Sequence, residues 1–409
     1  MRILHTSDWH LGKMLEGASR MDEQEKFLGD FINIVEEKQI DMVIISGDIY
    51  DNSNPPARAE KMFYTALKKI CNKGKRLVLV IAGNHDNPER LAAASPLAYD
   101  QGVIILGRPK SCAEVGKCGE YEILDSGEGF IEININEEKA VIITLPYPSE
   151  KRLNEVLSKS IEEEERQKNY SQRIAELFEH LSQKYREDTI NLAVTHIFVL
   201  GGEETDSERP IQLGGSLAVS ATALPERAQY VALGHLHKPQ YIKAKTKCVY
   251  SGSPLQYSKS EIGYTKSCYL VEVKAGEEAV IEEIHLKNYK PIEVWKCESV
   301  EEAIKKCEDN GDKDIWVYLE IKTDEYISQE DIKTMKSLKD DILEIKPLIQ
   351  SEDEENEDFY NIKEKSMREL FRDFYIKQRM IEPDEEVMEL FLNIVGEEEG
   401  DEEHETQNS

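Results

Sequence analysis

Residues 42–51 read MVIISGDIYD, so an apolar run passes directly into a loop that carries two carboxylates, Asp48 and Asp51. Residues 42–46 are apolar at nearly every position, which is typical of a strand buried on both faces of a parallel sheet. Gly47 stands where the chain leaves the strand, and a glycine there permits a sharp turn or a close backbone approach. The stretch therefore predicts a buried strand that places acidic side chains at its carboxyl end.

The same arrangement recurs along the first 275 residues. Helical patterns separate the apolar runs, as in the spacing of Phe27, Phe31 and Ile34. This alternation predicts a fold of α/β layers. Further strands are predicted at Arg2–Thr6, Leu77–Ala82, Val103–Leu106, Val141–Leu145, Leu192–Thr195 and Tyr230–Leu233, and a long charged helical region at 150–186.

Polar clusters follow five of these strands. They are residues 8–10 (DWH), 47–51 (GDIYD), 83–86 (GNHD), His196 and residues 234–237 (GHLH). Ligand sites of layered α/β folds gather at the carboxyl ends of strands, so we expect the five loops to converge. They bring carboxylate, amide and imidazole groups without a thiolate, a set that suits Mn²⁺, Fe²⁺ or Zn²⁺. Two such cations about 3.5–4 Å apart are the arrangement for in-line displacement at phosphorus.

The motifs D-x-H, G-D-x-x-D, G-N-H-D, T-H and G-H-x-H occur in this order, and the set resembles the calcineurin-like metallophosphoesterase family. Within that family the chain is most similar to the SbcD nuclease subunits of bacterial SbcCD complexes. The similar segments are ILHTSDWHLG at 3–12, SGDIYD at 46–51, AGNHD at 82–86 and YSGSPLQY at 250–257. The resemblance implies a layered metallophosphoesterase β-sandwich flanked by helices, with a small α+β capping domain and C-terminal amphipathic helices.

The resemblance also implies a role for each motif residue, with two divalent cations, most favourably Mn²⁺, as cofactors. One cation would be bound by Asp8, His10, Asp48 and His237. The other would be bound by Asp48, Asn84, His196 and His235, so that Asp48 bridges the pair.

Three further residues are expected to act near the phosphate of the substrate. His85 would face the scissile phosphate and protonate the leaving oxygen or stabilise charge on the transferring group. Asp51 would orient His85 and raise its basicity, as a carboxylate partner does. Arg90 is the better candidate for a phosphate contact, whereas the lysines at 238–247 fit phosphate contacts and a solvated loop equally well.

Some residues near the motifs have structural interpretations. His5 lies inside the first predicted strand, so we interpret it as a core histidine with its hydrogen bonds satisfied. Trp9 stands between Asp8 and His10, and packing is a better interpretation of it than stacking on a substrate.

Composition limits the class of protein. The chain has 409 residues and a net charge of −30. Its 7 cysteines are an odd and scattered set, which disfavours a disulfide framework and favours a reducing cytoplasm. We expect neither a signal peptide nor a membrane-spanning helix, because residues 1–8 are not an apolar segment and no run of 18 apolar residues occurs. Residues 351–409 hold 21 acidic and 6 basic residues, so half of the charge lies in the last seventh of the chain and does not exclude a nucleic-acid substrate.

The character of the chain changes near residue 286. We expect a phosphoesterase domain at 1–280, an α+β capping domain at 286–350 with the order strand, helix, strand, helix, strand, and an acidic linker at 351–358. Two amphipathic helices at 359–396 and a disordered acidic tail at 397–409 would follow. The helices could pack on this chain, but the acidic tether favours docking on a partner. Their apolar faces are Met367, Leu370, Phe371, Phe374, Val387, Leu390, Phe391 and Ile394.

Three classes of function compete. The resemblance implies a DNA nuclease, a 3′→5′ double-strand exonuclease and single-strand endonuclease that opens hairpins in recombination, repair and replication. Its partners would be DNA and an SbcC-like coiled-coil ATPase, in a heterotetramer that contains a homodimer of this chain. The chain has no G-x-x-x-x-G-K-[ST] motif, so ATP dependence must come from the partner. A small-molecule phosphodiesterase or phosphatase would not need the residues beyond 280, and the intact ligand set disfavours a non-catalytic scaffold.

Overall fold

The computed structural model describes residues 1–155, 163–208, 218–323, 326–348 and 366–394. The chain divides into two compact units, Met1–Tyr289 and Lys290–Ser409. Within the described ranges, every helix is too short or too polar to cross a bilayer. The predicted linker at 351–358 and the predicted tail at 397–409 lie outside the described residues.

The first unit alternates strands with helices. Its strands are β1 (Arg2–Thr6), β2 (Met14–Leu15), β3 (Ala18–Ser19), β4 (Met42–Ser46), β5 (Leu77–Ile81), β6 (Val103–Leu106), β7 (Gly116–Cys118), β8 (Tyr121–Gly127), β9 (Phe130–Ile135), β10 (Glu138–Leu145), β11 (Ile190–His196), β12 (Tyr230–Gly234), β13 (Gln240–Ile242), β14 (Cys248–Tyr250), β15 (Ser267–Glu272) and β16 (Val280–His285). Its α-helices are α1 (Met21–Glu37), α2 (Ala57–Ile70), α3 (Pro88–Ala92), α4 (Ser95–Tyr99), α5 (Glu150–Leu153) and α6 (Glu163–Ser182).

Two sheets form the core of this unit. One has the strand order β16-β15-β1-β4-β5-β6, and the other has the order β13-β14-β12-β11-β10-β9-β8-β7. They pack face to face through side chains that include Ile44, Leu79, Ile142 and Val194. Helices α1 and α2 cover the outer face of the first sheet, and α6 covers that of the second. The predicted α/β class, a layered β-sandwich flanked by helices, is confirmed.

The unbroken apolar run in β4 follows from this layering. Met42 and Ile44 face the second sheet, whereas Val43 and Ile45 face the helices. Successive side chains of a strand point to opposite faces, so a strand buried on both sides is apolar throughout.

The structural interpretations of His5 and Trp9 are confirmed. Buried His5 lies 2.7 Å from both the Tyr230 hydroxyl and Ser46 Oγ through its two ring nitrogens. Trp9 is fully buried, and its Nε1 donates to Thr6 Oγ1 at 2.9 Å. Its ring packs edge-on against aromatic side chains of α1 and α2, namely Phe27, Phe31 and Phe63.

One expectation about this unit is corrected, and several of its strands are not among the predicted ones. Polar residues alternate with apolar ones through β7, β8 and β16, which are partly exposed, so these strands lack an apolar run. Strands β9, β14 and β15 are largely buried and were also not predicted. The predicted helical region at 150–186 contains two separate helices, α5 and α6. Helix α5 ends at Asn154, whose left-handed φ of 58° cannot continue a right-handed helix.

The second unit contains a parallel sheet. Its elements are β17 (Ile292–Cys297), α7 (Val300–Asp309), β18 (Trp316–Lys322), α8 (Gln329–Leu338), β19 (Ile342–Leu348), α9 (Met367–Arg379) and a helix α10 at residues 385–394. The strand order is β17-β18-β19, and α7 and α8 begin at the side-chain caps Ser299 and Ser328. The predicted strand, helix, strand, helix, strand series is confirmed.

Helices α9 and α10 form a pair within the second unit. The rings of Phe371 and Phe391 stack with centroids 3.9 Å apart. The turn between the helices is joined to the α8 region, because Ile327 N donates to Met380 O at 3.0 Å. Of the eight apolar residues predicted to face a partner, four remain largely exposed: Met367 (46%), Phe374 (61%), Leu390 (61%) and Ile394 (54%).

Candidate metal centre

The loops after the strands meet at one edge of the sandwich, where backbone hydrogen bonds hold them in register. The Asp8 N–H donates to Gly47 O and the His10 N–H donates to Asp48 O, each at 3.0 Å. Asp8, His10, Asp48 and His235 all have positive φ, between 43° and 111°. Such conformations cost about 1–3 kcal/mol each in non-glycine residues, and strain of this kind concentrates at functional sites.

Two glycines permit the close approach of these loops. A Cβ on Gly83 would lie 2.1 Å from Asp48 Oδ1, and a Cβ on Gly47 would lie 2.3 Å from His196 Nδ1. Any side chain at either position would occupy the space of a predicted ligand, as expected for glycines at the turn from strand to ligand loop.

The first predicted ligand group is assembled around Asp8, His10 and His237, all buried, with one ligand atom from each within 4.8 Å of the others. The Nε2 atoms of His10 and His237 are 3.0 Å apart. Asp48 Oδ2 lies 3.6 Å from His10 Nε2. Four side chains from three loops therefore converge on one point.

The second predicted group lies beside the first. One ligand atom each of Asp8, Asp48 and His196 lies within 4.8 Å of the others, and Asp48 Oδ2 is 3.3 Å from His196 Nε2. Asn84 Oδ1 is 2.8 Å from His196 Nε2 and 3.1 Å from His235 Nδ1. The structure brings all seven predicted ligands together and places Asp48 between the two groups.

Burial and mutual charges prepare these side chains as ligands. Burial lowers the pKa of both His10 and His235 to about 3, so their imidazoles are neutral near pH 7. Burial opposes ionisation of Asp48, but His196 and His85 hold the pKa of this carboxyl well below its usual range. Neutral imidazoles, carboxylates and one amide oxygen are donors that divalent cations accept. The residues present therefore fit a pair of such ions.

His85 lies beside the first group, and Asp51, its predicted partner, contacts it through the main chain. His85 Nδ1 is 2.5 Å from the backbone carbonyl oxygen of Asp51, and its ring packs edge-on against that of His10. The Asp51 carboxylate lies 3.6 Å from His10 Nδ1 and 3.0 Å from Lys13 Nζ. One ligand atom each of His10, Asp51 and His85 also lies within 4.8 Å of the others, so orientation of His85 by the Asp51 carboxylate stays a prediction beside this main-chain contact.

Arg90 is placed at the surface, where its guanidinium donates to Glu60 Oε1 at 2.9 Å and to Asn54 Oδ1 at 2.6 Å. Its side chain is 41% exposed, and a phosphate would compete with both contacts. Contact with DNA stays a prediction for this residue.

Two residues without a predicted role hold the loops in place. The Asp86 carboxylate accepts from the backbone N–H groups of Ile49, Tyr50 and Gly83 at 2.9–3.2 Å and so joins two ligand loops. The Arg152 guanidinium donates to Gly83 O at 2.7 Å and to Asp86 O at 2.6 Å. Asp86 stood within the GNHD motif and could have been inferred, whereas Arg152 lies 66 residues further along the chain without a motif of its own.

Comparison with known proteins agrees with this geometry. Residues 1–239 match the family described as calcineurin-like phosphoesterase, and residues 288–379 match the type 5 capsule protein repressor C-terminal domain. The chain is 43% identical over 397 residues to the SbcD subunit of the SbcCD nuclease of Bacillus subtilis (strain 168), covering 96% of this chain and 97% of that relative. The chain belongs to the SbcD family. Like other SbcD-family proteins it is a metal-dependent hydrolase of phosphodiester bonds, with a calcineurin-like phosphoesterase fold.

Two solved structures are similar to this chain at low sequence identity. A protein of Thermus thermophilus, TT1561, is 12% identical at a TM-score of 0.35, covering 70% of this chain and 99% of its own. A dimetal phosphatase from Danio rerio is 11% identical at a TM-score of 0.36, covering 69% of this chain and 98% of its own.

Proposed function

We propose that this chain is the DNA nuclease subunit of an SbcCD-like complex that acts in recombination, repair and replication. The observation that carries the proposal is the match to the SbcD subunit of an SbcCD nuclease along nearly the whole of both chains. The match extends past residue 280, into a unit that a small-molecule phosphodiesterase does not need. A complete set of seven candidate ligands at one point supports an active enzyme.

We assign Asp8, His10, Asp48 and His237 to one divalent cation, and Asn84, His196 and His235 with Asp48 to the other. Mn²⁺ suits this mixture of oxygen and imidazole donors. When bound, such a pair would lower the pKa of a water molecule, so that hydroxide is available near pH 7, and would neutralise charge on the phosphate. The buried, strained loops fix the donor atoms in advance, so little reorganisation accompanies the reaction.

His85 is proposed to act on the scissile phosphate. The Asp51 carbonyl accepts from Nδ1–H, which assigns the proton to this nitrogen and leaves Nε2 as the basic one. A proton taken up at Nε2 can pass to the leaving oxygen, or the resulting cation can stabilise charge on the transferring group. Two contacts with the loop of residues 47–51 hold His85 in place. Its backbone N–H donates to Asp48 Oδ1, and its ring contacts the carbonyl oxygen of Asp51.

The second unit is proposed to serve DNA and a partner. We assign DNA positioning to the α+β elements within 286–350. The exposed apolar side chains of α9 and α10 would dock on an SbcC-like coiled-coil ATPase, since an unpartnered apolar helix face is the form such recognition takes. We infer a cytoplasmic heterotetramer built on a homodimer of this chain.

A cleavage assay on hairpin DNA tests the proposal. The purified full-length chain should open the hairpin and digest duplex ends 3′→5′ with Mn²⁺, and fail to do so with chelator. Addition of the ATPase and ATP should extend digestion of duplex DNA. Hydrolysis of bis-p-nitrophenyl phosphate without cleavage of any DNA substrate, with and without the ATPase, would instead favour a small-molecule phosphodiesterase.

A further inference from the structure

A buried ion pair lies behind His237, on the side away from the other ligands. Glu261 is fully buried and Lys266 is 5% exposed, and their side chains form a salt bridge. Lys266 Nζ also donates to His237 O and to Ser253 Oγ, each at 2.9 Å. Two buried charges are costly to desolvate, and pairs of this kind are often replaceable by apolar side chains without loss of stability. A contribution to folding stability is therefore a weak explanation for the presence of this ion pair.

Ser207 connects this pair to His237. Ser207 Oγ lies within hydrogen-bond distance of His237 Nδ1 and donates to Glu261 Oε1 at 2.6 Å. The carboxylate itself is 3.9 Å from His237 Nδ1, too far for a direct hydrogen bond. Ser207 therefore fills a gap between the histidine and the buried charge. The neighbouring Glu208 accepts from His237 N at 2.8 Å, so one loop holds both the backbone and the ring.

The direction of the hydrogen bonds follows from counting protons. A carboxylate only accepts, so the Ser207 hydroxyl proton points to Glu261. Thr205 Oγ1, which is 2.9 Å from Ser207 Oγ, donates its own proton to Glu208 Oε2 at 2.6 Å. The Ser207 oxygen must then accept from His237, which assigns the imidazole proton to Nδ1. The lone pair is left on Nε2, the atom that lies 3.0 Å from His10 Nε2.

We infer that Ser207, with Glu261 and Lys266 behind it, is a positioning residue that holds His237 in the Nδ1–H tautomer and aims its Nε2 at the first cation. The inference rests on the proposed assignment of His237 as a ligand. It adds to that assignment a relay from a buried carboxylate through a hydroxyl, in place of a direct carboxylate–histidine contact. Partners of this kind fix the orientation of a metal-binding imidazole and raise its basicity.

Titration of the metal-free full-length chain with Mn²⁺, followed by calorimetry and by the electron paramagnetic resonance signal of free Mn²⁺, tests this inference. Ser207→Ala should weaken one of two binding events by about 10–100-fold and leave the other unchanged. Ser207→Thr keeps the hydroxyl and should restore most of the affinity. Ser260→Ala is the matched control, since Ser260 Oγ accepts at 2.9 Å from the N–H of Asp206, a residue of the loop that carries Ser207, and its other described contact is with Ser258 Oγ.

The outcomes separate the two proposals. If the wild-type chain binds no pair of cations, the assignment of the metal centre fails. If the wild type binds two and Ser207→Ala binds both with unchanged affinity, the positioning role of Ser207 fails. A loss of affinity in Ser207→Ala that Ser207→Thr does not restore, or that Ser260→Ala reproduces, would also overturn it. Nitrogen-15 histidine spectra provide a second readout, in which the metal-free wild type should show the Nδ1–H signature for His237 and Ser207→Ala a mixture of tautomers.

Discussion

The backbone carbonyl oxygen of Asp51 lies 2.5 Å from Nδ1 of His85, while its carboxylate faces His10 Nδ1 at 3.6 Å. One residue therefore serves two histidines through different atoms. The main chain of Asp51 sets the ring of the proposed catalytic group, and its side chain, paired with Lys13, lies behind a candidate ligand. A substitution of the Asp51 side chain should therefore affect His10 and leave the contact between the Asp51 carbonyl and His85 in place.

Asp51→Asn should therefore weaken binding of the cation that we assign to His10 and leave the chemical step largely intact. We expect affinity for that cation to fall about 10–100-fold, as for other partners of ligating histidines. At saturating Mn²⁺ the turnover number should stay within about tenfold of the wild type, well short of the loss of a general acid. The dependence of hairpin cleavage on Mn²⁺ concentration measures both quantities. A large fall in turnover that excess Mn²⁺ does not reverse would return the carboxylate to the chemical step.

His85→Gln should give the opposite result. Both cations should bind with unchanged affinity, and turnover should fall by about 10²–10⁴-fold, the usual contribution of a positioned acid or base. His180→Gln, at an exposed position on α6, is the matched control and should change neither quantity. Loss of bound Mn²⁺ in His85→Gln would make this residue a ligand.

The sequence predicted the site best where a strand leads directly into a polar loop. The five clusters from Asp8 to His237 each follow a buried apolar strand, and neighbouring parallel strands necessarily end at one edge of a sheet. The convergence of these polar loops was therefore predictable from local pattern and order, whereas the assignment of each residue to a cation followed from the resemblance to the metallophosphoesterase family. Partly exposed strands such as β16 were not predictable in this way, because polar residues interrupt the apolar pattern that identifies a buried strand.

The supporting contacts were not predictable for a different reason. Ser207 lies 30 residues from His237 and 54 from Glu261, and neither interval has a regular period. The contact of His85 with the main chain of Asp51 likewise lies within a loop whose residue Asp48 has a left-handed φ of 50°. Such details are set by loop geometry in three dimensions, and the residue types alone do not determine them.

Arg152 offers a test of loop positioning. It donates to the carbonyls of Gly83 and Asp86, and a lysine cannot reproduce this forked geometry. Arg152→Lys should cost roughly 1–3 kcal/mol of stability through the carbonyls left without a donor. It should also lower the rate of cleavage about 100-fold, because a small displacement of a catalytic loop misplaces the reacting groups.

Arg227→Lys is the control for that experiment. Arg227 also donates to two carbonyls, Ser182 O and Tyr185 O, and neither carbonyl belongs to a ligand loop. Thermal unfolding and hairpin cleavage should be measured on both variants. Equal losses of cleavage in the two would show that Arg152 acts through general stability and not through the loop.

Cation binding should depend on pH through His196. Burial acts to lower the pKa of His196, but Asp48 outweighs it and the pKa is raised to about 9 in the metal-free protein. Because a ligand must be neutral, a cation that binds near pH 7 must displace this proton, and affinity should rise with pH up to about 9. Asp8, whose pKa burial raises to about 6, adds to the loss of affinity in acid. Calorimetry in buffers of different ionisation enthalpy should detect protons released; affinity that does not vary with pH would contradict this.

Substitutions in the C-terminal helices α9 and α10 should distinguish their binding to a partner from their packing against each other. Phe374 and Leu390 are each 61% exposed, so replacing both with Glu should abolish co-elution with the ATPase and leave thermal unfolding unchanged.

Phe371→Ala instead removes one ring of a stacked pair, and should lower the stability of the helix pair by at least about 1 kcal/mol. Deletion of residues 359–409 should likewise remove partner binding but keep Mn²⁺-dependent hydrolysis of a generic phosphodiester, since none of the seven candidate ligands lies beyond residue 237. Co-elution of the ATPase with the double variant would place the docking surface elsewhere on the chain.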